Sequence, residues 1–411
     1  MVRRIAQIVS MVSVGALLGI AAQAQTRFQF VHVDDFLTNY SLGECYIYDI
    51  NDQNLACGTA TAAFPLPGGS ISITYTGFTW SEETDKSMAQ VSWPRGLNNS
   101  AWIAGVSGLF DGASGQFTNV PVLPGTYAPV VLLDVNDSGV AVGYVQTCNC
   151  SNSQGTLQIP YVWDANGGAR TLPVPGAKGA SEITNSGLVI GWLGGNFMTD
   201  GFVFDLADGS YTLASSLFAG PNTQTTVTDI NEFGVVTGWR LSNNGAQSTG
   251  FTWSTTTGLT LLPMPPQGYQ PHVRPSGINN DGTVIGTIYR TDATAVPFVY
   301  DATHGLRELQ SITTPAPGFN LMSATAINNN GWIVGFGSGG GFGFYTAFVL
   351  KPIVLGDVNG DGRVDESDLG ALLGAFGNCS GAPGYLPAAD FDNNGCNDES
   401  DLGVLLAAWA G

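Results

Sequence analysis

One phrase, apolar-Asn-polar-x-Gly-apolar-x-apolar-Gly, occurs seven times with imperfections, and its spacing constrains the fold more than any other feature. The copies end at Gly58, Gly105, Gly143, Gly191, Gly238, Gly286 and Gly335. Their Asn-equivalent positions are 51, 98, 136, 184 (a threonine), 231, 279 and 328, in steps of 47, 38, 48, 47, 48 and 49 residues. A second phrase follows most copies: Gly77–Trp80, Pro160–Trp163, Gly201–Phe204, Gly250–Trp253, Pro297–Tyr300 and Ala347–Leu350. A short apolar tail such as Leu259–Leu262 then closes the unit. Asn-Asp-Ser-Gly and Asn-Asn-Asp-Gly are turn signals between β-rich runs. Each unit therefore predicts four strands. The second copy is short and shows no aromatic phrase.

Four strands per 40–50 residues is the period of a propeller blade. The phrases resemble HAF-type extracellular repeats over roughly residues 45–351. The expected fold is mainly β, a propeller-like body of seven blades, or six should the short second copy not form one. The last copy ends at Lys351-Pro352 without a fourth strand, and an orphan strand, Phe28–Val33, lies near the amino end. Pairing the two would close the ring and cover both edges, which otherwise invite aggregation.

A duplicated acidic loop follows the repeats. The first copy places Asp357, Asn359, Asp361, Asp365 and Asp368 at loop positions 1, 3, 5, 9 and 12; the second places Asp390, Asp392, Asn394, Asp398 and Asp401 there. Gly362 and Gly395 fill position 6, and Arg363 and Cys396 fill position 7, where the backbone carbonyl binds. Oxygens at this spacing suit a hard cation such as calcium. Each loop leads into an apolar stripe, Leu369, Leu372, Leu373, Phe376 or Leu402, Leu405, Leu406, Trp409, one face of a helix. The copies lie 33 residues apart throughout.

This tail resembles a type I dockerin of the Gly-Cys variety, a small α-helical module. The resemblance implies two Ca2+ ions and a cohesin-like partner. It also implies a Cys379–Cys396 disulfide and a partner-facing surface at Glu366, Ser367, Glu399 and Ser400. A module this small has too little core to be comfortable alone, so metal and disulfide are expected props.

The chain opens with Arg3-Arg4, an apolar run from Ile5 to Ala21 and Ala22-Gln23-Ala24, the pattern of a secretory signal cut before Gln25. The expected organisation is a signal at 1–24, the repeat body at 25–352 and the calcium module at 353–411. No later stretch predicts a membrane span. Localisation is expected to be secreted or cell-surface, and six cysteines suit an oxidising compartment. Proximity pairs Cys45 with Cys57; Cys148 and Cys150, separated by one residue, would form a strained bond.

Net charge is −19, and residues 356–411 carry ten acidic residues against Arg363 alone. With no basic stripe, nucleic-acid binding is disfavoured. Three histidines and no nucleophile, zincin or phosphate-loop motif give little sign of catalysis. Asp49, Asp134 and Asp229 recur at one repeat position, which favours a structural role over a glycosidase pair. After the phrase-ending glycine come Tyr144, Trp192, Trp239 and Phe336, candidates either to stack on a polysaccharide or surface glycan or to pack between blades. The sequence reading is a non-catalytic binding and display protein; a tethered carbohydrate-active enzyme and a structural envelope component are the alternatives.

Overall fold

Asparagine leads each repeat because its side chain serves two masters. In the first repeat Asn51 Oδ1 accepts the amides of Gln53 and Leu55, closing the turn, while its Nδ2 donates to the carbonyl of Asn98 in the next repeat at 2.8 Å. The same donation runs Asn98 to Asn136, Asn136 to Thr184, Asn231 to Asn279, Asn279 to Asn328 and, closing the circle, Asn328 to Asn51. Thr184 has no amide nitrogen to give, so the link from the fourth repeat to the fifth is missing.

The neighbouring position completes a second circle without a gap. The amide of Asp52 donates to Asn99, Asn99 to Asp137, Asp137 to Asn185, Asn185 to Glu232, Glu232 to Asn280, Asn280 to Asn329, and Asn329 back to Asp52, all at 2.8–3.0 Å. Seven turns joined head to tail make the body a closed, propeller-like β ring.

These contacts come from a computed structural model that describes residues 27–33, 44–65, 71–88, 91–147, 158–194, 200–218, 224–242, 245–314, 318–339, 345–359, 363–392 and 394–409. The expected signal segment, Cys148, Cys150 and Asp361 lie outside them. The chain divides into two compact units, one of them Phe30–Lys351 and the other containing Pro352–Gly411. No helix among the described residues is long and apolar enough to cross a membrane.

Each repeat is an antiparallel meander. The first runs Glu44–Ile50, Ala56–Pro65, Ile71–Ser81, Asp85–Met88, and the sixth Tyr269–Ile278, Val284–Arg290, Ala295–Asp301, Gly305–Glu308. The second repeat has all four strands, contrary to the sequence reading. Its third strand is Gly108–Asp111, reached by a tight turn through Ser107 at φ 72°, and Phe110 is its aromatic. In the last repeat, strand Arg27–Val33 lies beside Thr346–Ile353, the pairing expected from the orphan strand.

The phrase-ending glycine is fixed by close approach. A Cβ on Gly143 would sit 1.9 Å from the Val131 carbonyl, and one on Gly335 2.0 Å from that of Ser323 and 2.7 Å from the Phe348 ring. Glycine and the aromatic of the following strand thus form one packing unit, which is why the two phrases travel together.

The core is built between repeats rather than within them. Cys57, Val91, Leu97, Ile103 and Phe110 join the first repeat to the second. Val33, Cys45, Ile47, Phe78, Trp332, Val334 and Val349 join the last to the first. This arrangement overturns the expected Cys45–Cys57 bond, and neither cysteine is in a disulfide. Cys45 lies opposite Ala60 and Cys57 opposite Asp49 in the strand pair, and the two thiols belong to clusters on different sides of the sheet.

The carboxyl-terminal unit holds helices Glu366–Ala375 and Glu399–Ala407. Asp365 and Asp398 cap them, each in a reciprocal capping box with the aspartate three residues on. Val364, Leu372, Ala389 and Leu405 form its core. Leu373 and Leu406, expected to join the buried stripes, instead stand 43% and 41% exposed at equivalent places.

Candidate functional site

Two constellations collect the polar chemistry, one in each unit. In the ring, the turns surround a cavity of about 190 Å3 lined by Asp49, Asp134, Glu182 and Asp229, with Arg95 as its cation and Asp52, Asp137 and Glu232 among the turn residues.

The recurring aspartates are inter-repeat staples. Asp49 accepts the amide of Ile50 through one oxygen and that of Leu97, in the next repeat, through the other. Asp134 does the same with Val135 and Ile183, and Asp229 with Ile230 and Ile278, at 2.6–2.8 Å. The structural role expected from their recurrence is therefore present, but the bonds reach across to a neighbouring repeat rather than staying in the local turn.

Burial pushes the carboxyls of Asp49 and Asp229 up to about 6. Asp134 rises to about 7 through burial and the nearby Asp49 charge. Glu182, which hydrogen-bonds Asp134, is held well above the ordinary range by burial and then by the Asp134 charge. Sequence reasoning did not single out Glu182, Arg95 or the Asp52-to-Asn329 circle. The signal for that circle was present, since the residue after each leading Asn or Thr is always Asp, Asn or Glu.

The four candidate aromatics do not line this cavity. Tyr144 and Trp192, from adjacent repeats, meet edge to face at 6.0 Å. Phe336 of the last repeat packs on Tyr46 of the first at 5.1 Å, and Trp239 lies under the Arg274 guanidinium of the next repeat at 4.9 Å. All four are half-buried and pack between blades. Among the described residues, the close contact of Ser248 with His272 does not present a poised nucleophile. Ser248 Oγ lies 3.0 Å from His272 Nδ1, but Ser248 is fully buried and that nitrogen also faces the Ser248 amide at 3.1 Å.

In the other unit the structure brings Asp390, Asp392 and Asp401 together, with one oxygen of each within 4.8 Å of the others. Asp401 Oδ1 accepts the Phe391 amide and its Oδ2 that of Asp398, so the loop folds around the position-12 carboxylate. Asp368 plays the same part in the first loop, accepting from Val358, Asn359 and Asp365. Asn394 and Asp398 close the second loop through a side-chain bond of 3.2 Å.

Among the described residues of this unit, one buried side-chain oxygen is left without a partner. Asp390 is 7% exposed; its Oδ2 accepts from Tyr385 and Gly395, whereas its Oδ1 has no partner. A buried carboxylate oxygen without a donor carries a penalty of about 1–3 kcal/mol or more, which a cation beside it would remove. The Cys379–Cys396 disulfide is formed, pinning the end of the first helix to this loop. Glu366, Ser367 and Glu399 are exposed and Ser400 half-buried.

No family model matches this chain, and no curated protein does. Among solved structures, the WD40 repeats of RRP9 align over 80% of this chain and 99% of theirs at 12% identity and a TM-score of 0.45. The β-propeller domain of the Trilobed protease from Pyrococcus furiosus aligns over 65% and 95% at 10% identity and a TM-score of 0.33. The lectin of Aleuria aurantia aligns over 69% and 94% at 9% identity and a TM-score of 0.33.

Proposed function

We propose that this chain is an exported, seven-bladed, non-catalytic β-propeller that binds a ligand on its ring and is held on a scaffold or surface by a calcium-folded, dockerin-like tail. The unpartnered oxygen of Asp390 carries the reading. Asp401 has both oxygens bonded to backbone amides, whereas the Oδ1 of Asp390 is buried without a partner, at position 1 of a calcium spacing. Asp390, Asp392, Asn394, Asp398 and Asp401 would hold the ion with the carbonyl of Cys396. Asp357, Asn359, Asp361, Asp365 and Asp368, with the carbonyl of Arg363, would hold the second.

A cohesin-like partner fits the doubled surface. Glu366 with Leu373, and Glu399 with Leu406, give two exposed acidic–apolar pairs related by the internal repeat. Two equivalent faces permit docking in either orientation. Binding of the full chain to an immobilised type I cohesin, with calcium and then with EDTA, tests this directly. Calcium-dependent capture that survives Glu366→Ala or Glu399→Ala alone and fails in the double variant is expected. Failure to bind in calcium would remove the cohesin reading.

A tethered carbohydrate-active enzyme is the second reading, favoured by one feature: burial and the Asp134 charge hold the Glu182 carboxyl, which lines the cavity, well above the ordinary carboxylate range, the direction a general acid needs. Against it, both oxygens of its partner Asp134 are occupied by amides. Reducing-sugar release from polysaccharides, abolished by Glu182→Gln, would establish the enzyme.

A further inference from the structure

We propose that the ring carries a subsite for a neutral pyranose chain on Tyr75, Trp93 and Arg95, between the first and second repeats. It rests on the reading of the propeller as a non-catalytic binder and names its ligand class.

The second repeat departs from the others here. In six repeats the residue five before the leading Asn or Thr pairs with the residue just after the phrase-ending glycine: Tyr46 with Thr59, Val131 with Tyr144, Gly179 with Trp192, Thr226 with Trp239, Arg274 with Thr287, Ser323 with Phe336. In the second repeat it is Ser92, six before Asn98, that pairs with Val106. One additional residue is therefore extruded between Ser92 and Gly96. The extrusion holds Trp93 at φ 55°, a backbone region that bulky side chains avoid. Bulges of this kind re-aim side chains, and strain of this kind concentrates at binding sites.

The strained residue is delivered to solvent. Trp93 is 42% and Tyr75 52% exposed, with ring centroids 5.3 Å apart and planes inclined by 36°. The Arg95 guanidinium lies 5.8 Å from the Trp93 ring and 4.4 Å from that of Tyr48. Among the described residues it donates no hydrogen bond, and the two rings hold it in place. Arg95 and Tyr48 also line the central cavity, which connects this platform to Asp49, Asp52 and Asp134.

Exposed aromatic faces stack on the C–H face of a pyranose, a fixed guanidinium donates to hydroxyl oxygens, and nearby carboxylates accept from hydroxyls. Among the described residues that line the cavity, carboxylates outnumber arginine, and the chain as a whole carries −19. That charge repels uronate chains and selects neutral ones. The recurring aromatics satisfy one another between blades; this pair breaks the repeat, as a ligand site does.

Calorimetric titration of the full chain with cellohexaose, xylohexaose, mannohexaose and polygalacturonate tests the proposal. At least one neutral hexasaccharide is expected to bind, and polygalacturonate to bind none or more weakly. Trp93→Ala should weaken binding about tenfold or more, the effect of about 1.4 kcal/mol of stacking. Tyr75→Ala, on a separate strand, should weaken it several-fold and serves if Trp93→Ala does not fold. Absence of binding by all three neutral probes, stronger binding of polygalacturonate, or indifference to both substitutions overturns the subsite. Binding indifferent to both leaves the binder reading standing, whereas release of reducing ends from a bound hexasaccharide refutes its non-catalytic part.

Discussion

Two acidic regions of this molecule look alike in composition and differ in how their oxygens are satisfied. In the ring, Asp49, Asp134 and Asp229 each accept two backbone amides, one from a neighbouring repeat, and burial raises their pKa. In the tail, the position-12 aspartates are equally well bonded, but Asp390 keeps a bare oxygen inside a three-carboxylate cluster. Carboxylates that staple a ring are stabilised by protons or amides; carboxylates that converge on one another would be stabilised by a cation. The number of acidic residues does not separate these cases, but the donor to each oxygen does.

Chelation should split the two regions most widely. With EDTA the tail is expected to lose its helical signal and become protease-sensitive, because its small core of Val364, Leu372, Ala389 and Leu405 is all that remains beside the disulfide. The ring's melting transition should stay where it was. Joint unfolding of both units in calorimetry, or no response of the tail to calcium, would erase the contrast.

Next in size is Asp134→Ala. It strips the acceptor from the buried amides of Val135 and Ile183, at about 1–3 kcal/mol each, so a loss of about 4 kcal/mol from the ring transition is expected. Denaturant melts would register it, and the tail's calcium affinity should not move. A loss below about 1 kcal/mol would mean that the staple is dispensable.

The pH dependences should have opposite signs. A carboxyl whose folded pKa lies above its unfolded one contributes stability below the unfolded value and loses it as pH rises through the folded one. For Asp49, Asp134 and Asp229 that window runs from the ordinary aspartate value near 3.8 up to about 6–7. The ring should therefore melt several degrees higher at pH 5 than at pH 8, with Glu182→Gln flattening the slope. Calcium ligands must be deprotonated, so calcium should leave the tail as pH falls. A ring whose melting temperature rises from pH 5 to pH 8 would refute the sign.

The repeats, the closing strand and the two loop-helix units were legible because each rests on local chemistry repeated at a fixed interval. The Cys45–Cys57 pairing failed because nearness along a hairpin says nothing about which face a side chain takes. The aromatic strand of the second repeat was overlooked because a tight turn at Ser107 removed the usual spacing. The inter-repeat reach of Asp134 was not legible because its second partner, Ile183, is 49 positions away. Glu182 was invisible as a cavity residue, since five of the other six repeats place Gly or Asp there and the position carries no constant type.

The smallest effect concerns the one gap in the asparagine circle. Thr184 closes its own turn, with its hydroxyl accepting the Leu188 amide at 3.0 Å, yet offers nothing to Asn231. Every other link is made by an Nδ2 reaching the next repeat's carbonyl at 2.8–3.3 Å. Thr184→Asn would keep the turn acceptor and add the missing donor to the Asn231 carbonyl. A typical net hydrogen bond predicts a gain of about 1 kcal/mol in the ring and none in the tail. The reverse change, Asn231→Thr, breaks an existing link to Asn279 and should lose a similar amount. If both substitutions left ring stability unchanged, the circle would be a consequence of the blades' packing rather than one of its causes, and the amide circle from Asp52 to Asn329 would have to hold the turns alone.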